Sequence, residues 1–109
     1  VSCATDLPLL FPNLPESLYH GCGGFIGESK EAFVGENTMD RVSMVNAWTS
    51  GGIENLYGSS AKLGKIKEGY EADLVIFDKN LLKEPFDLIR DSQVVTTFFK
   101  GEPVFIKED

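Results

Sequence analysis

The spacing of apolar residues changes from helical to extended partway along this chain. From Asp40 onward Val42, Val45, Trp48 and Thr49 recur at intervals of three and four, with Met44 and Ala47 beside them. That spacing predicts an amphipathic helix of about three turns, and Thr38 or Asp40 is suited to cap it. Gly51-Gly52 predicts a break or kink, since each glycine costs a helix roughly 1 kcal/mol relative to alanine. Helix then resumes over Ile53–Tyr57 and stops at Gly58. Further on, Leu74–Phe77 is an unbroken apolar run between Asp73 and Asp78, the pattern of a strand covered on both faces. Val94–Phe99 and Val104–Ile106 form a hairpin through Lys100-Gly101, where glycine can take the positive φ of a tight turn. Pro103 lacks an N–H and must face an edge.

The amino-terminal part is less regular. Val1–Asp6 is compatible with a strand and ends in a carboxylate, and Pro8, Pro12 and Pro15 then exclude a continuous helix or interior strand. Glu16–Cys22 predicts a helical turn or two behind Pro15, ended by Gly21, Gly23, Gly24 and Gly27. Glu28–Asn37 reads as a polar surface connection. Helices first and strands afterwards give an α+β class.

Charge and cysteine content narrow the partners. The 109 residues suffice for one modest core. A net charge of −7, with ten basic residues scattered among seventeen acids, gives the wrong field for nucleic acid or an anionic membrane surface. No apolar run approaches the ~20 residues of a membrane span, and no basic segment precedes an apolar one at the start, so no signal peptide is expected. Cys3 and Cys22 lack a partner at metal or redox spacing and read as buried reduced thiols, in keeping with a cytoplasmic protein. His20, the one histidine, has no His or Cys at ligand spacing and reads as a loop or surface residue. Gly21-Cys22-Gly23-Gly24 has neither a preceding strand nor a following Lys-Ser/Thr, which argues against a phosphate cradle. Glu28, Glu31 and Glu36 read as solvated surface.

A longer pattern runs through Thr49, Gly58, Gly64, Ile66, Gly69, Ala72-Asp73-Leu74-Val75, Thr97 and Gly101. Its combined spacing resembles the carboxy-terminal region of metal-dependent amidohydrolases over about residues 40 to 106. Ile89-Arg90-Asp91, Val94 and the Asp78-Lys79-Asn80-Leu81 stretch are similar to the exoenzyme-regulator type within that superfamily. Thr5-Asp6-Leu7-Pro8 looks like that subfamily's Ser-Asp-x-Pro, with threonine in place of serine. The resemblance implies that residues 1–60 are the last strand and helices of a (β/α)₈ barrel and that residues 61–109 are part of a small composite β-sandwich. It also implies that Asp6, closing the last barrel strand, is both a metal ligand and the base that takes a proton from the attacking water. Gly51-Gly52 departs from the family's usual asparagine and alanines.

Such enzymes hydrolyse a non-peptide carbon–nitrogen bond with metal-activated water, and they are several times longer than this chain. The paired histidines, the bridging lysine and the later histidines of the family site have no counterparts here. The resemblance therefore implies a fragment that is inactive alone. Its divalent metal, zinc first, and its small-molecule substrate would belong to the full-length parent, and no cofactor is expected in the fragment. The remainder of the parent chain is the expected partner, and exposed sheet edges at Leu74–Phe77 or Val94–Phe99 predict a homo-oligomer. The alternative is a non-catalytic β-rich interaction or structural domain.

Overall fold

The computed structural model describes residues 1–4, 13–29, 31–33 and 35–109. Helix α1 covers Leu14–Gly23. The Asn13 side chain accepts the Glu16 N–H at 3.1 Å and Pro15 occupies the first turn, where its missing N–H costs nothing. Gly24, at φ 75°, closes the helix and donates its N–H to the His20 carbonyl. Gly21 does not end α1, as the glycine pattern predicts. It sits inside the helix where a Cβ would collide with Met44 Cε, so its smallness serves packing between helices.

After a short 3₁₀ turn at Gly35–Asn37, α2 runs Arg41–Trp48 and α3 runs Ser50–Tyr57. Asp40 caps α2, accepting from the Ser43 N–H at 2.9 Å and from the Ser43 hydroxyl at 2.6 Å. The buried stripe of α2 is Met44 and Ala47, with Val45 and Trp48 at its margin, while Val42 is 57% exposed and lies off it. The predicted break falls earlier than Gly51-Gly52. It occurs at Thr49, with φ −119° and ψ −96°, and both glycines belong to the first turn of α3, where backbone N–H groups have no intrahelical partner in any case. A Cβ on Gly51 would strike the Val1 carbonyl, so this glycine admits the amino-terminal segment. That segment is tied down by the Cys3 N–H to Ala47 O at 3.0 Å.

Three strands follow: β1 Leu74–Phe77, β2 Val94–Phe99 and β3 Glu102–Ile106, antiparallel in the order β1-β2-β3. Helix α4, Phe86–Ile89, lies between β1 and β2 and went unread in the sequence because one turn carries no periodicity. Strand β2 is therefore the central strand, not an edge. Strand β1 is an edge, and it is not covered on both faces, since Val75 and Ile76 are about half exposed. An apolar run shows what a strand has available to bury, not what lies against it. Phe99 and Glu102 close a two-residue turn in which Lys100 and Gly101 both have positive φ, 50° and 82°, as a type I′ hairpin requires.

The core joins α1, α2, α4 and the loop after β1. Leu18 and Ile89 are fully buried, with Cys22, Met44 and Leu81 around them and Trp48, Phe77 and Phe86 packed outside. Each fully buried aliphatic side chain contributes roughly 1.5–3 kcal/mol. Arg41 extends this junction: its Nη1 donates to the Leu81 and Glu84 carbonyls at 3.1 and 2.6 Å, and its guanidinium lies 4.0 Å from the Phe86 ring centre. Among the described residues no helix is long and apolar enough to cross a membrane.

Candidate functional site

Asp6, the predicted ligand and base, lies outside the described residues. Its upstream neighbours are fixed: Ser2 Oγ accepts from Asn55 Nδ2 at 2.9 Å, and Cys3 Sγ lies 3.7 Å from Met44 Sδ. Ser2 and Cys3 are thus anchored on α3 and α2. Among the described residues no three His, Cys, Asp or Glu side chains converge as a metal site would need, so the described residues do not fit the catalytic metal.

Residues of the longer pattern take positions that explain their type by structure. Lys67–Tyr70 is a turn closed by Tyr70 N–H to Lys67 O at 3.0 Å, with Gly69 at φ 83° in its third position, the geometry of a type II turn. Gly64, at φ 77°, passes so close to the α2–α3 junction that a Cβ would meet Ile53 Cγ1 at 3.0 Å and Thr49 O at 3.2 Å. Thr49 itself donates its hydroxyl to Val45 O at 2.8 Å, completing the end of α2. Asp73 accepts the Lys100 N–H at 2.8 Å while the Ala72 carbonyl accepts the Gly101 N–H at 3.0 Å. The Ala-Asp of one motif therefore holds the turn glycine of the other.

Asp78 does the same at the opposite end of β1. Its Oδ1 accepts the Gln93 N–H at 3.0 Å and the hydroxyl of buried Ser92 at 2.8 Å. These two bonds, the backbone one foremost, hold its carboxyl below the usual aspartate range. Asp40 is lowered likewise, first by the Ser43 hydroxyl and then by the Ser43 N–H.

The other candidate groups are structural. His20 Nδ1 donates to Phe25 O at 2.8 Å on the exposed side of α1. Both cysteines are free thiols; Cys22 is buried, which pushes its pKa up against the opposing pull of Arg41, whereas Cys3 is half-buried.

The concavities among the described residues include two that border the helices. A cleft of about 750 Å³ opens between α1 and α4, with Tyr19, Phe25 and Phe86 as apolar walls. Tyr19 stacks on Phe25 at 4.8 Å, and Phe25 meets Phe86 edge-on at 5.8 Å. Arg90 lies 4.7 Å from the Tyr19 ring centre, with Nη2 3.3 Å from Glu28 and Nε 3.9 Å from Glu16. Its charge is thereby taken up within the chain. The cleft was not legible in the sequence, where Phe86 is far from Tyr19 and Phe25 and Arg90 stood only as part of Ile89-Arg90-Asp91. The second is an apolar groove of about 640 Å³ between Leu14, Pro15 and Trp48 on one side and Phe77, Val94 and Phe105 of the sheet on the other.

A family model described as the amidohydrolase family matches residues 18–104. Most of the chain lies within that match, and the chain belongs to the amidohydrolase family. The match begins beyond Asp6. No curated protein and no solved structure matches the chain.

Proposed function

We propose that the chain is the carboxy-terminal segment of an exoenzyme-regulator-like amidohydrolase, a cytoplasmic enzyme that hydrolyses a non-peptide carbon–nitrogen bond with metal-activated water. The observation that carries this reading is the family match over residues 18–104. In this reading residues 1–60 end the barrel and residues 61–109 belong to the composite β-sandwich. Support for the second assignment comes from the sheet face that bears Ile76 and Ile106, which are 49% and 63% exposed. A second layer of strands from the parent chain would bury that face.

Asp6 is the residue of this segment assigned to the site. A carboxylate is a hard oxygen donor suited to a divalent ion, zinc first, and it can hold the proton released when water attacks. The other ligands belong to the remainder of the parent, and the segment alone is inactive. In the parent enzyme, Asp6→Asn should leave the circular dichroism spectrum unchanged and lower turnover by the roughly 10²- to 10⁴-fold typical of a lost general base. Unchanged turnover in that variant would remove Asp6 from the mechanism.

A further inference from the structure

The two edges of the sheet are chemically unequal. On β3 the Phe99–Glu102 pair closes the hairpin, so the next pair, Phe98 with Pro103, turns the Pro103 nitrogen outward, where no N–H exists. The register then slips by one residue at Val104, a bulge that bends this edge further. Both features discourage addition of a strand there.

Strand β1 has neither a proline nor an extra residue of its own: its ladder with β2 slips between Ile76 and Phe77, but the extra residue there is Val95 of β2. The backbone orientation of β1 is fixed at both ends, since the Ala72 carbonyl accepts from Gly101 and the Asp78 N–H donates to Gln93 O at 3.0 Å. Residues 72, 74, 76 and 78 therefore direct their backbone groups toward β2, and Asp73, Val75 and Phe77 direct theirs outward. No proline interrupts the run, and Val75 and Ile76 are 46% and 49% exposed.

We propose that β1 pairs antiparallel with β1 of a second copy of this chain, about a two-fold axis at Ile76, joining two three-stranded sheets into one of six strands. In this register Val75 of one copy lies opposite Phe77 of the other, and the outward N–H and C=O groups of both residues are satisfied. Ile76 faces its own counterpart. Asp73 stands opposite Lys79 at each end, so the pairing places opposite charges together twice despite the net charge of −7 on each copy, with Lys79, whose Nζ lies 3.7 Å from Asp78 of its own chain, shared between the two carboxylates. Asp73 uses Oδ1 for the Lys100 N–H, and its Oδ2 has no hydrogen-bond partner among the described residues. The pairing uses an edge and not a face, so it does not rest on the assignment of the parent enzyme.

Cysteine cross-linking with sedimentation tests the register. At a non-hydrogen-bonded antiparallel pair the Cα atoms lie about 4.5 Å apart, within disulfide reach. Ile76→Cys should oxidise to a covalent dimer, while Val104→Cys on the opposite edge and the unaltered chain should not. The unaltered chain should sediment as a dimer at high concentration, and Lys79→Glu should weaken that dimer by about tenfold through two like-charge oppositions. A monomer at every concentration, or a dimer that cross-links at Val104→Cys and not at Ile76→Cys, would overturn the proposal.

Discussion

Asp73 and Asp78 flank a four-residue strand, and each uses one oxygen to hold the chain where β2 begins or ends. The family resemblance draws attention to Asp73 as part of Ala-Asp-Leu-Val, while its local chemistry is that of a turn acceptor. Asp73→Ala should cost about 1 kcal/mol of stability, the net worth of an exposed hydrogen bond, read as a lower urea midpoint with an unchanged slope. Asp78 and Asp40 add a dependence on pH. Their carboxyl groups are lowered in the folded chain, so the stability they contribute is present above the unfolded aspartate value of ~3.9 and is lost as pH falls through their lower folded values. The urea midpoint should therefore stay level from pH 7 to about 5 and then decline. Asp78→Asn should flatten that decline, and an equally steep acid limb in the variant would assign it to other groups.

At the scale of elements, the sequence was legible wherever the determinant is local. Asp40 as a cap, Gly58 at φ 79° ending α3 and Gly101 in the hairpin all act on neighbours within a few residues. It was misleading where the determinant is tertiary. The helix break belongs to Thr49 and not to Gly51-Gly52, because Gly51 is needed for the approach of Val1, from the other end of the chain's first half. Likewise the apolar composition of Leu74–Phe77 could not show that β1 is an edge. The assignment of Asp6 rests on a resemblance alone, since one Asp-x-Pro among prolines has no physical signature of its own, and Asp6 lies outside the described residues. Gly64 joins these two kinds of information, because both its positive φ and its closeness to Ile53 and Thr49 exclude a side chain. Gly64→Ala should destabilise the fold by about 1–3 kcal/mol through backbone strain. Thermal unfolding checks this, and a variant as stable as the parent sequence would mean that the loop over the α2–α3 junction is free to move away.

For the molecule as a whole, the core is shared between segments that the family resemblance assigns to two different bodies. Leu18, Cys22 and Met44 come from before residue 60, and Leu81 and Ile89 from after it. Helix α4 seats Ile89 against α1, and the Arg41 bonds to Leu81 and Glu84 hold the loop after β1 on α2. The chain thus has the means to hold its helices and sheet together. In the proposed parent enzyme this segment supplies one carboxylate, Asp6, to a metal site whose other ligands lie elsewhere in a longer chain. Calorimetric titration of the chain with zinc tests that assignment most directly: one carboxylate should give no stoichiometric binding at submicromolar concentration, because tight sites need several converging ligands. Stoichiometric submicromolar binding that disappears in Asp6→Ala would contradict the account, since it would place a complete metal site within these 109 residues.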